Sequence, residues 1–152
     1  MRRVADTLPQ IGYGQADVVT TPLRMARVAA AAASNGVLRD TRWDMSAAKS
    51  KMEAFLQPDA ARILAGFMRD VVLTGTGHRL RDHPWRIAGK TGTAELSGKP
   101  SHSWFVGFAP YGVAARRIAL AIIVENAGYG AATAAPAAGE IVTAAAAAGL
   151  IK

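Results

Sequence analysis

Apolar residues in the stretch PDAARILAGFMRDVVL, residues 58–73, recur at Ile63, Leu64, Phe67, Met68, Val71 and Val72. That three-and-four spacing predicts a helix with one apolar face, and Pro58 suits its first turn. A helix is also predicted in TTPLRMARVAAAAASNG. Thr21 can cap it, Pro22 opens it, and Leu23, Ala26, Ala30 and Ala33 recur at helical spacing. Asn35 and Gly36 supply a left-handed stop. GVLRDTRW, between the two, reads as short and extended. TGTGHRLRDHP then interrupts regular structure with glycines and a proline. Beyond it the pattern changes to strands: WRIAGKTGTAEL, SHSWFVGFAPY and RRIALAIIVEN, separated by the turns SGKP and GVAA. Links this short imply an antiparallel meander. GYGAAT follows as a loop, and APAAGEIVTAAAAAGL as a closing helix with Pro136 near its start. The order predicts an α+β fold: two helices, an antiparallel sheet of about three strands, and a C-terminal helix across it. A sheet this small leaves an edge and part of a face for something else to cover.

Composition narrows the class without identifying it. The 152 residues suit one domain, large enough to bury about 68–70% of its unfolded surface. No repeat or change of composition marks a second domain. The net charge of +7 is spread along the chain, with no run of five like charges. Such a distribution fits solvated helix faces and loops, or attraction to an anionic surface. With no cysteine there is no disulfide and no thiolate zinc site. MRRVADTLPQ lacks the apolar core of a signal peptide, and EIVTAAAAAGLI is too short to span a bilayer.

Candidate chemistry concentrates in RIAGKTGTAELSG, residues 86–98. Gly89, Lys90 and Thr91 match the end of a phosphate-binding loop, but Pro84 stands where that motif needs its first glycine. A phosphate loop also needs a helix after the lysine, whereas here a turn and another strand follow. A carboxylate-binding strand fits better. Lys90 offers a fixed positive charge, Thr91 and Thr93 offer hydroxyl donors, and Gly92 clears space for a substrate beside the backbone. An unpaired strand N–H could also serve an oxyanion.

The segment KTGT, Lys90–Thr93, resembles the third signature of penicillin-binding proteins and serine β-lactamases. Its surroundings extend the resemblance from about Gly12 to the C-terminus. GYGQADVVTTPLRMARVAAAAASNG resembles that family's glycine–glutamine turn and TPLQMA helix. VVLTGTGHRL resembles its GTG stretch, HSWFVGFAPY its WFxGFxP strand, and AAPAAGEI its proline-led final helix. The chain is thus similar to the C-terminal half of a class B penicillin-binding transpeptidase domain. The family's nucleophile motif S-x-x-K and second motif S-x-N belong to the preceding half. Ser46-Ala-Ala-Lys49 has the letters of the first motif, but it lies between the TPLRMA helix and the lysine strand, and no S-x-N occurs. Residues 1–152 are therefore expected to be part of a domain, lacking the nucleophile.

The resemblance implies a peptidoglycan D,D-transpeptidase that cross-links stem peptides through an acyl-serine and binds penicillin. Lys90 would belong to the catalytic cluster. The Thr93 backbone N–H would form half of an oxyanion hole, and Thr91, Gly92 and Thr93 would line the donor's carboxylate site. Expected partners are stem peptides, β-lactams, the missing N-terminal half and the cell-wall synthesis machinery; neither a cofactor nor nucleic acid is expected. The location implied is the extracytoplasmic face of the bacterial cytoplasmic membrane. Alternatives are a D,D-carboxypeptidase or β-lactamase-like hydrolase fragment, or a non-catalytic module that binds cell wall or a partner protein. Trp104, Phe105 and Phe108 are expected to pack the sheet, His102 to sit in an exposed turn or at the site mouth, Glu95 to face solvent, and Asn126, Gly128 and Gly130 to form a loop near the groove.

Overall fold

A computed structural model describes residues 4–16, 18–42, 51–112 and 116–152. Among them are helices α1 (Val4–Gly12), α2 (Pro22–Ala33), α3 (Pro58–Leu73) and α4 (Ala134–Ala147). The strands are β1 (Val37–Arg39), β2 (Met52–Ala54), β3 (Ala88–Leu96), β4 (Lys99–Ala109) and β5 (Ile118–Val124). The predicted meander is present: β3, β4 and β5 form an antiparallel sheet in that order. β1 and β2 make a separate antiparallel pair. The chain is α+β, with more elements than the sequence pattern announced: α1 and β2 were not foreseen.

Local chemistry sets the helix limits. The Thr21 side chain accepts a hydrogen bond from the Arg24 N–H at 3.3 Å, capping α2. α2 ends as expected, with Asn35 at φ 53° and Gly36 at φ 84°. Gly36 N–H donates to Ala31 O at 2.8 Å, which satisfies a carbonyl of the last turn. α3 spans the predicted range, but its apolar face is turned. Ala61, Ala65, Met68 and Val72 are buried, while Ile63 and Phe67 are more than half exposed. Similarly, α2 buries Ala29, Ala31 and Ala32, and Leu23 is exposed. The buried residues of α2 are all alanines, and those of α3 are Ala61 and Ala65 beside Met68 and Val72; the small side chains let each helix axis approach closely.

Side chains alternate between the two faces of the sheet. One face carries Ala88 and Phe108, packed with Ala29 and Ala32 of α2 and Ala65 and Met68 of α3. The opposite face carries Phe105, Ala109 and Leu120, packed with Ala134, Ala135, Ala138 and Val142 of α4. The sheet is therefore the middle of three layers. Gly89 and Gly107 lie directly opposite each other on β3 and β4, and the Phe105 ring covers both. A Cβ on Gly107 would fall 2.5 Å from Ala88 O and 2.8 Å from the Phe105 ring.

The entry to β3 is also pinned. Arg69 Nη1 donates to Ile87 O at 2.7 Å. Burial, then the positive charge of Arg86, pushes the Arg69 guanidinium below its ordinary value, with Tyr111 acting the other way. Arg69 remains a cation at any pH a protein meets.

Gly107→Ala should lower stability by about 1–3 kcal/mol, because the added methyl has nowhere to go. Gly66 lies inside α3 with open space at its Cβ position. Gly66→Ala should raise stability by about 0.5–1 kcal/mol through helix propensity alone. Urea unfolding midpoints check the pair, and shifts of the same sign would contradict the packing described.

Candidate active-site wall

Lys90 follows the glycine pair on β3, opposite Val106, and its side chain is exposed. No helix follows Thr91: the strand runs on to Leu96 and turns into β4, which excludes a phosphate loop. β3 is one edge of the sheet. In an extended strand the N–H and C=O of one residue point to the same side, and successive residues alternate. Thr93 O accepts from the side chain of Gln15, so Thr93 faces the free edge. Its N–H faces that edge too, with no partner among the described residues. Lys90 Nζ donates to Thr91 O at 2.6 Å, which brings the ammonium to the same edge. One cation and one strand N–H thus stand together on an unpaired edge, a suitable setting for an anion or a developing oxyanion.

The four motif residues do not share one face. The register pairs Lys90 with Val106 and Gly92 with Trp104, on the α2–α3 side. It pairs Thr91 with Phe105 and Thr93 with Ser103, on the α4 side. Thr91 is 7% exposed, and its Oγ1 is 2.5 Å from Thr76 Oγ1. Its hydroxyl is thereby engaged by the loop that follows α3, on the face away from Lys90. Thr93 is half-buried. At Gly92 an added Cβ would lie 3.1 Å from Trp104 Cβ, a tight contact that a side chain there could relieve only by a small shift of Trp104.

Four other residues shape this wall. Gly130 packs on the β3 backbone: a Cβ there would sit 2.5 Å from Gly92 O and 2.9 Å from Gly92 N. Ser103 is fully buried, donates to Tyr129 O at 3.1 Å, and accepts from Ala134 N–H at 3.0 Å. It therefore ties β4 to the loop after β5 and to the start of α4. Gln15 and Thr76 reach β3 from outside the sheet. None of these contacts has a signal in local periodicity; only the GTG stretch and the glycine–glutamine turn pointed to the segments that carry Thr76 and Gln15. His102 lies within β4 rather than in a turn, and its Nδ1 accepts from Asn126 N–H at 3.0 Å. Phe105 and Phe108 are buried and Trp104 half-buried, and Glu95 is exposed, as expected.

Two surface hollows lie away from Lys90, one bordered by Ala32, Phe108, Tyr111 and Arg117, the other by Gly36, Phe55 and Leu56. Among the described residues, no three His, Asp or Glu side chains converge as a metal-binding set. No helix among them is long and apolar enough to cross a membrane. Ser46 and Lys49 lie outside the described residues.

The family described as the penicillin binding protein transpeptidase domain matches residues 3–143. The peptidoglycan D,D-transpeptidase MrdA of Acinetobacter baumannii is 32% identical over 146 residues, covering 79% of this chain and 21% of that protein. A chain in a structure of a peptidoglycan synthase complex superposes with a TM-score of 0.81 at 26% identity, over 94% of this chain and 26% of the other. The imipenem acyl-enzyme complex of penicillin-binding protein A from M. tuberculosis gives a TM-score of 0.66 at 28% identity, over 86% of this chain and 32% of the other. The chain spans about a quarter of the length of the curated relatives it matches.

Ser103→Ala should leave the Ala134 N–H buried without an acceptor, at a cost of about 1–3 kcal/mol. Hydrogen exchange at the Gly128, Ala134 and Ala135 amides should quicken more than at β4–β5 ladder amides. Uniform acceleration across the sheet would show that the serine does not specifically hold this loop.

Proposed function

The chain belongs to the penicillin binding protein transpeptidase domain family, and on that premise we propose that it forms one wall of the active site of a peptidoglycan D,D-transpeptidase. The wall is the free edge of β3, and the observation that carries the assignment is the Lys90 ammonium beside the edge-facing Thr93 peptide. The nucleophilic serine and the second motif come from a preceding part of the same domain, outside these 152 residues. The names of the curated relatives support transfer to an amine over hydrolysis.

In this scheme the serine hydroxyl attacks the carbonyl of the penultimate D-alanine of a donor stem peptide. The O–C bond forms, the hydroxyl proton passes to a neighbouring base, and the carbonyl oxygen becomes an oxyanion. The Thr93 N–H donates to that oxyanion, and the serine's own N–H supplies the second donor. The C–N bond then breaks, and the departing D-alanine amine takes the proton, leaving an acyl-serine. An amine from a neighbouring stem peptide attacks the ester, and the serine regains its proton as the cross-link forms. A β-lactam enters the same first step, but its ring nitrogen stays tethered after the C–N bond opens.

Lys90 supplies positive potential at the edge, and Thr93 and Gly92 receive the donor's terminal carboxylate. Thr91 contributes by fixing the strand, since its hydroxyl is engaged by Thr76. The setting is the outer face of the bacterial cytoplasmic membrane, with cell-wall synthesis proteins as partners.

In the complete domain, Lys90→Ala should slow acylation by a fluorescent penicillin about 100-fold, in the range of a lost electrostatic contact in a transition state. Its effect on stability should stay below about 1 kcal/mol, because the side chain is exposed. Equal labelling rates for variant and parent would reject the role. The 152-residue chain alone should give no β-lactam adduct by intact-protein mass spectrometry. An adduct mapped to Ser46 would show a self-sufficient enzyme and overturn the need for a preceding half.

A further inference from the structure

The free edge of β3 is touched by a residue from far away in the chain. Gln15 Nε2 donates to Thr93 O at 3.0 Å, and Gln15 Oε1 accepts from Glu95 N–H at 3.4 Å. A carbonyl of one residue and the N–H two residues on are the pair that a single residue of a parallel neighbouring strand would engage. The Gln15 carboxamide thus stands in for one residue of an added strand, beside the peptide that carries the proposed oxyanion donor.

Two features make this a built contact. First, the backbone of Gln15 is fixed by the end of α1. Gly14 has φ 85°, its N–H donates to Ile11 O at 3.1 Å, and the Gln15 N–H donates to Gln10 O at 2.9 Å. This pair of bonds is the glycine-based helix stop, and it sets where the next side chain begins. Second, Gln15 acts where the sheet's own ladder fails. The β3–β4 register shifts between Ala94 and Leu96, so β4 does not hold Glu95 in regular pairing. Support for the strand just past Thr93 comes from Gln15 instead. On the other side of the Thr93 N–H, the Gly92 peptide is packed under Gly130.

We propose that Gln15 is a positioning residue for the Thr93 N–H. Its carboxamide holds the peptide groups that follow Thr93, Gly130 packs on the peptide that carries the Thr93 N–H, and that N–H is thereby aimed at the reacting carbonyl oxygen. The proposal rests on the assignment of Thr93 as an oxyanion donor. Gln15 touches no reacting atom. It acts through the strand, so its loss affects the bond-making step rather than the first encounter with ligand.

The test uses the complete domain and a penicillin whose non-covalent dissociation constant and first-order acylation constant are measured separately by rapid mixing. Gln15→Met keeps the length of the side chain and removes both hydrogen bonds. Gln15→Glu keeps the acceptor for Glu95 N–H but sets carboxylate oxygen against Thr93 O. Both should lower the acylation constant about tenfold, less than the loss of an oxyanion donor itself, with the dissociation constant and thermal midpoint little changed. Amide exchange at Glu95 should quicken in Gln15→Met, a readout available even if Gln15→Glu folds poorly. Parent-like acylation in both variants would overturn the proposal. So would a faster reaction, which would mean that Gln15 competes with ligand for the edge, or a loss confined to the dissociation constant. A parent domain that is not acylated at all would instead sink the active-site assignment on which the proposal depends.

Discussion

Two glycines facing each other across adjacent strands, with one aromatic ring laid over both, fix the geometry of this protein. Gly89 and Gly107 form a cross-strand pair, and Phe105 occupies the space that two Cβ atoms would fill. The ring is wholly buried and belongs to the cluster formed with α4. Register follows from this fit, because a slip of one residue would exchange the two faces of β3. Lys90 would then point toward α4 and Thr91 toward α2 and α3. The face on which Lys90 lies is thus set by a packing constraint one residue away, and the bond from its Nζ to Thr91 O then carries the ammonium to the edge.

The same wall shows how backbone and side chains divide the work. Side chains of the motif alternate between faces, so only part of KTGT can meet one ligand directly. What the edge offers continuously is the backbone, and its quality depends on how firmly each peptide is held. β4 holds the strand on one side, Gly130 presses on Gly92 from the α4 face, and Gln15 bridges the free edge. Ser103 anchors the loop that carries Gly130. A short motif therefore draws its geometry from segments before, beside and after it in the chain.

Most elements were legible because their signals are local. Pro58 and the spacing that follows give α3, Thr21 and Asn35-Gly36 bracket α2, and the breaks at SGKP and GVAA announce three strands, although β4 already starts at Lys99 within SGKP and residues 113–115 of GVAA lie outside the described residues. α1 was harder to see, since it is short and has Pro9 within it. Helix orientation was misjudged where size was taken as a guide to burial: Ile63 and Phe67 face outward, while Ala61 and Ala65 face in. Within the site, Lys90, Gly92 and Thr93 could be named from the motif. Gly130 was expected in a loop near the groove, and it packs on β3. Gln15, Thr76 and Ser103 could not be named, because their partners lie far off in sequence and a hydrogen bond between distant segments leaves no periodicity to read.

More than half of the buried apolar residues among those described are alanines. Alanine has no rotamers to freeze and little surface to withdraw from water. Layers that meet through such residues lie close together and gain cohesion from backbone-to-backbone proximity more than from large apolar side chains. Withdrawal of apolar surface is what gives unfolding its large positive heat capacity. A core of this kind therefore implies a small heat-capacity increment for its length and a broad, flat dependence of stability on temperature.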